Sequence, residues 1–211
     1  MPGTITLSAS YGAQGDKIGR ALAERLGLPF LERVIPAAVA RQLDLAIDAD
    51  ESLDEPVPSL WERIVATFAN TATPIGPSPM PVEEFDTPER FRSATEATLR
   101  QVADTTGAVI LGRAGMVALG GRPDVVCVRL DGPVEARIAQ AVATGIDEES
   151  ARHSQRQVDR ARDTYARVFF NARQDDARLY HLILDSTAFS TQACVDLIAR
   201  AAEDRLSRVT S

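Results

Sequence analysis

The 23 basic side chains of this 211-residue chain are 22 arginines and one lysine, Lys17. That lysine follows a glycine-bearing stretch, Ser10-Tyr11-Gly12-Ala13-Gln14-Gly15-Asp16. Glycines permit positive φ and close backbone approach, and a helix starting there would aim free N–H groups at an anion. Gly12, Ala13, Gln14, Gly15, Asp16, Lys17 and Ile18 are therefore candidates for a phosphate-binding loop. The spacing is not that of a Walker A loop, which needs glycine six residues and one residue before its lysine and Ser or Thr after it. The chain has Tyr11, Asp16 and Ile18 at those places. Read from the residues alone, the segment is either a phosphate loop or a strand-to-helix turn with two convenient glycines.

A second concentration of charge lies further on. Between positions 152 and 178 there are seven arginines (Arg152, Arg156, Arg160, Arg162, Arg167, Arg173, Arg178) against four aspartates, in a chain of net charge −7. Such a local positive excess suits phosphates, and it equally suits a solvated helix face with self-balancing pairs. Arg113 follows Gly112 at the end of an apolar run, where a guanidinium can fork onto a phosphate or pair with an acid. Arg33 stands in a similar place after a short extended piece. His153 and His181 are not near any Ser or Cys nucleophile pattern, and no catalytic role is expected of them.

The elements that must carry these residues alternate. Thr4–Ser8 reads as a strand. Ile18, Leu22 and Leu26 give one face of a helix that Gly27 ends. Pro29–Leu31 is briefly extended. Helices are expected over 34–46, over 61–68, and from Pro88 to about Thr106. The segment between Asp48 and Pro58 is acidic and proline-bearing, and Pro74 to Pro81 is irregular. Apolar strands are read at Ala108–Leu111, Val125–Leu130 and Leu182–Leu184, with helices from Pro133 to Val142, over 148–168, and over 191–206. Strands alternating with helices imply a parallel sheet covered on both faces, with ligands beyond the carboxyl ends of the strands. Four such ends stand out: Ser8–Lys17, Leu31–Arg33, Gly112–Arg113 and Asp185–Thr187.

Composition narrows the classes of function. An acidic chain is a poor general nucleic-acid binder. No apolar run approaches the roughly 20 residues that span a bilayer, and no signal peptide is seen, so neither a membrane nor a nucleic-acid partner is expected. Cys127 and Cys194 sit in apolar patterns without CxxC spacing, which argues for no metal site and for a cytoplasmic location.

The residues also resemble a family. Tyr11 to Arg33 (Y-G-A-Q-G-D-K-I-G-R-A-L-A-E-R-L-G-L-P-F-L-E-R) resembles the opening of the cytidylate kinase-like family. Val109-Ile110-Leu111-Gly112-Arg113-Ala114 resembles its strand followed by G-R-G/A. Asp159 to Tyr165 resembles its D-x-x-R-x-x-Y lid segment, and Leu184-Asp185-Ser186-Thr187 the element that ends its last strand. The four matches occur in order over nearly the whole chain. Aligned on Tyr11-Gly12, Gly15 stands where a P-loop kinase carries lysine and Lys17 where it carries Ser or Thr.

The resemblance implies an α/β fold: a doubly wound parallel sheet of about five strands, P-loop kinase-like, in one domain. The core would be residues 1–33, 105–144 and 177–211, with a helical monophosphate-binding insert over 34–104 and an arginine-rich lid over 145–176. It implies ATP with Mg²⁺, and phosphoryl transfer to a nucleoside monophosphate of the cytidylate type or a similar small acceptor. Lys17, Arg160 and Arg162 would act on the transferred phosphate, and Arg33 and Arg113 would hold the acceptor. Tyr165, Arg167 and Asp185 would support the lid. A nucleotide-binding protein of the same fold without turnover, serving as a sensor or interaction module, is the alternative. Nucleotides are the expected partners, and a homodimer stays open.

Overall fold

In a computed structural model, residues 3–32, 88–112 and 114–209 are described. Among them the chain runs β1 (Thr4–Ala9), α1 (Gly15–Leu26), β2 (Phe30–Glu32), α2 (Pro88–Thr105), β3 (Val109–Leu111), α3 (Gly115–Ala118), β4 (Val125–Asp131), α4 (Val134–Val142), α5 (Glu148–Phe170), a 3₁₀ turn (Ala177–Leu179), β5 (Leu182–Asp185) and α6 (Thr191–Ser207). The five strands form one sheet in the order β2-β3-β1-β4-β5. Every pairing is parallel, with Ile5 opposite both Val109 and Val126.

Strand alternation sorts the side chains onto two faces. Ile5, Leu7, Val126, Val128 and Leu130 join Ile18 and Leu22 of α1 and Val195 and Ile198 of α6 in one core. Ile110, Val125 and Cys127 face the other way, with Leu99 of α2, Leu119, and Tyr165, Phe169 and Phe170 of α5. Full burial of β1 on both faces explains why it has no polar/apolar alternation in exposure.

Helix ends follow local chemistry. Gly27 ends α1 at φ 63°, returning its N–H to the helix. Asp147 caps α5 by accepting from the Ser150 N–H at 2.9 Å, and Asn171 closes it in the left-handed region. The strand and helix positions read from sequence agree to within a residue or two. The sequence did not announce α3 or the 3₁₀ turn, because one turn of helix leaves no periodicity to read. The helices expected over 34–46 and 61–68, and the loop and proline-rich segments around them, lie outside the described residues. Among the described residues no helix is long and apolar enough to cross a membrane.

His181 links β4 to β5. Its ring Nδ1 accepts the Cys127 N–H at 2.9 Å, and its backbone N–H donates to the Cys127 carbonyl at 2.8 Å. Burial, then the nearby Arg205 charge, hold the imidazole pKa below its ordinary value of 6.5. A depressed folded-state pKa means that the unfolded chain takes the proton first as pH falls. Stability is therefore expected to be full above pH 6.5 and to decline below it. Urea midpoints measured across pH 5–8 should show this step, and His181→Asn should flatten it.

Candidate functional site

Helix α1 is entered through the turn from Ser10 to Gln14. Gly12 at φ 77° and Gln14 at φ 55° make that turn. Gly12 is required by a close approach: a Cβ there would lie 2.2 Å from the Arg137 carbonyl oxygen. Gly15 is closed as well, since a Cβ would meet the Ala9 Cβ at 2.5 Å and a Leu111 methyl at 3.1 Å. The position aligned with a P-loop lysine thus has no room for a side chain.

Gln14 stands at the N-cap of α1 without capping it; its amide oxygen instead accepts from Thr191 Oγ1 at 3.1 Å. Among the described residues the N–H groups of Gly12, Gln14, Gly15, Asp16 and Lys17 meet no acceptor. These are donors at the positive end of a twelve-residue helix. The Asp16 carboxylate is turned to Arg20 at 2.7 Å. Ala13 and Ile18 are buried, and Lys17 is exposed.

Beside the loop, between the ends of β1 and β4 and helix α5, lies a cavity of about 230 Å³ walled by three arginines, Arg129, Arg137 and Arg162. Period two along β4 places Arg129 on the same face as Val125 and Cys127, under α5. Its guanidinium donates to Asp131 Oδ2 at 2.8 and 3.1 Å, to the Gln174 carbonyl at 2.9 Å and to Ser10 Oγ at 3.1 Å. Burial pushes the Asp131 carboxyl up, but Arg129 and Ser10 more than offset this and hold it below the usual range.

Arg137, on α4, is 5% exposed. It donates to the Gly132 carbonyl at 3.0 Å, to the Tyr11 carbonyl at 2.7 Å and to Asp159 Oδ2 at 2.8 Å. Asp159, on α5, accepts the Tyr11 N–H at 2.7 Å on its other oxygen. Both polar groups flanking Tyr11 Cα are thereby held by side chains.

Arg162 is different. It donates to the Ala9 carbonyl, and it forms no ion pair with a carboxylate among the described residues. A guanidinium has five donors in a fixed fork, so most of its capacity faces the cavity. Burial is the main influence lowering its pKa; Asp159 opposes this, while Arg129 and Arg137 add to it. The wall also carries four aspartates, Asp131, Asp159, Asp163 and Asp175, and each of them pairs with an arginine other than Arg162.

Other positions singled out by sequence lie elsewhere. Arg160 is exposed and is not in the cavity wall. Arg167 is exposed and pairs with Asp163 one turn away. Tyr165 is 3% exposed and packs against Phe169 and Phe170 at ring separations of 5.0 and 5.8 Å. Asp185 accepts from the Thr187 N–H at 2.9 Å and from its hydroxyl at 2.6 Å, shaping the turn after β5. Arg33 and Arg113 lie outside the described residues. Sequence reading passed over the end of β4, and with it Arg129, Asp131 and Arg137. The available signal was V-V-C-V-R-L-D, a charge set inside a buried parallel strand.

A parallel sheet in this order, with a glycine loop and helix leaving its central strand, makes the chain a doubly wound α/β protein. The sequence matches the cytidylate kinase-like family over residues 4–188, and the chain belongs to that family. No curated protein sequence matches it. Among solved structures it is similar to an uncharacterized protein from Eubacterium ventriosum ATCC 27560, at 16% identity over 95% of this chain and 98% of that one, TM-score 0.60. It is also similar to a shikimate kinase from Acinetobacter baumannii in complex with shikimate, at 17% identity over 99% and 95%, TM-score 0.42. A third is the deoxyadenosine kinase from M. mycoides with bound dATP, at 11% identity over 95% and 99%, TM-score 0.49. Of these three, the first bears on the fold.

Proposed function

We propose that this protein transfers a phosphoryl group from ATP to a nucleoside monophosphate of the cytidylate type, or to a similar small phosphorylated acceptor. The observation that carries the reading is Arg162: a half-buried guanidinium with open donors and, among the described residues, no carboxylate partner, beside a loop in which the N–H groups of Gly12, Gln14, Gly15, Asp16 and Lys17 meet no acceptor. Phosphoryl transfer is mainly positioning and charge stabilisation. The open amides of Gly12, Gln14, Gly15, Asp16 and Lys17 suit the oxygens of a nucleotide's phosphates. Arg162 supplies a fork on the cavity side, and Lys17, in the first turn of α1, adds a nearby charge from the solvent side. Arg33 and Arg113, which follow β2 and β3 in sequence, take the acceptor's phosphate.

Among the described residues no group of three His, Cys, Asp or Glu side chains is placed to hold a metal ion. The loop-side carboxylates Asp131 and Asp159 are engaged by arginine. A Mg²⁺ arriving with ATP would be held chiefly by phosphate oxygens and water, and would neutralise phosphate charge there.

A second reading, nucleotide binding without turnover, draws on the closed position 15 and the exposed Lys17, which leave the loop itself without an inward cation. ATP titration together with an ADP-release assay over a panel of nucleoside monophosphates separates the two. Turnover with CMP or dCMP supports the first reading; binding with no transfer to any acceptor supports the second. Arg162→Ala should weaken ATP binding roughly 10–100-fold, the loss of one or more charge-assisted hydrogen bonds. Lys17→Ala should weaken it less. Equal affinity of the Arg162→Ala and parent proteins would end the assignment of Arg162 to phosphate.

A further inference from the structure

Asp159 lines the same cavity as Arg162, one helical turn earlier on α5, yet the two make no ion pair. The Asp159 carboxylate is spent elsewhere. One oxygen accepts the Tyr11 N–H at 2.7 Å, and the other accepts from Arg137 Nη1 at 2.8 Å and Gln155 Nε2 at 3.0 Å. Arg162, at i+3 on the same helix face, donates to the Ala9 carbonyl. Helix α5 is therefore fastened to residues 9–11 at two points two residues apart. One fastening is a carboxylate held by three donors; the other is an arginine on a single neutral carbonyl. The first is anchored because Arg137 also grips the Tyr11 and Gly132 carbonyls.

We infer that Asp159 is a positioning residue: by tying α5 to the Tyr11 peptide and Arg137 it sets the reach of Arg162 over the loop, and so governs phosphate affinity without touching phosphate. The inference rests on the reading of Arg162 as a phosphate ligand. If Asp159 instead served as a counter-charge in the cavity, its removal would raise the affinity for anions. If it held only the fold together, its removal would act alike with or without Arg162.

A double-mutant cycle distinguishes these cases. Binding of ATP, and of inorganic tripolyphosphate as a probe without base or sugar, is measured on the full chain for the parent, Asp159→Ala, Arg162→Ala and the double variant. Urea unfolding of each confirms the folded fraction. Asp159→Asn serves as a milder second variant, since it keeps an acceptor for the Tyr11 N–H while losing the charge shared with Arg137. The expected result is about tenfold weaker binding for Asp159→Ala, and no further loss when it is added to Arg162→Ala, the non-additivity of residues acting as a unit. Asp159→Asn should fall between the parent and Asp159→Ala. Equal losses from Asp159→Ala in both backgrounds, or tighter binding, would overturn the positioning role while leaving Arg162 as a phosphate ligand. Unchanged binding by Arg162→Ala alone would overturn both.

Discussion

Gly12→Ala is expected to disable the loop and to destabilise the protein by about 2–4 kcal/mol. Two effects combine. Gly12 sits at φ 77°, in a region that costs an L side chain roughly 1–2 kcal/mol. The new methyl would also lie 2.2 Å from the Arg137 carbonyl oxygen, a backbone atom within α4 that no rotamer change can clear. Either the loop or α4 must move, and the Tyr11 contacts to Arg137 and Asp159 lie at that junction. The urea midpoint should drop, and ATP affinity should fall even under conditions where the variant remains folded. A variant with parental stability and affinity would show that the loop can open at Gly12 at no cost.

Arg137→Ala should be still more damaging, by about 3–5 kcal/mol, the usual cost of deleting one partner of a buried ion pair. Arg137 is 5% exposed, and its loss leaves Asp159 without its cation, with only the Tyr11 N–H and Gln155 as donors, and takes the guanidinium from the carbonyls of Gly132 and Tyr11 as well. Arg137→Lys keeps a charge but cannot fork across three acceptors, so it should recover only part of the stability. Thermal and urea unfolding of the two variants against the parent measure this directly. Full recovery by lysine would mean that charge alone, without the geometry of the fork, holds the loop.

The framework was legible because its signals are local. Ile18, Leu22 and Leu26 mark one face of α1 and Gly27 its end, while apolar runs bounded by turns mark β3, β4 and β5. The loop itself could be picked out from Gly12 and Gly15. What each glycine does could not, because both are dictated by distant atoms, the Arg137 carbonyl and the Ala9 methyl. The arginines show the same divide. Seven between 152 and 178 look alike in sequence, but the helix turns Arg160 to solvent and Arg162 to the cavity. Arg129 and Arg137 went unremarked in a chain so rich in arginine, since the partners that fix them come from Ser10 and Tyr11 after β1, from α5 and from residue 174.

The central place of β1 has a consequence for how the protein is made. Among the described strands β1 comes first in sequence, yet its two neighbours, β3 and β4, begin at Val109 and Val125. The grip on Tyr11 waits longer still, for Asp159, 148 residues downstream. Closing contacts of that span is slow, and a buried-type strand held open meanwhile is prone to wrong pairing. Thr4–Ala9 therefore lacks both of its sheet partners until Val109–Leu111 and Val125–Asp131 have been synthesised, and the Tyr11 peptide lacks its carboxylate until Asp159 has followed them.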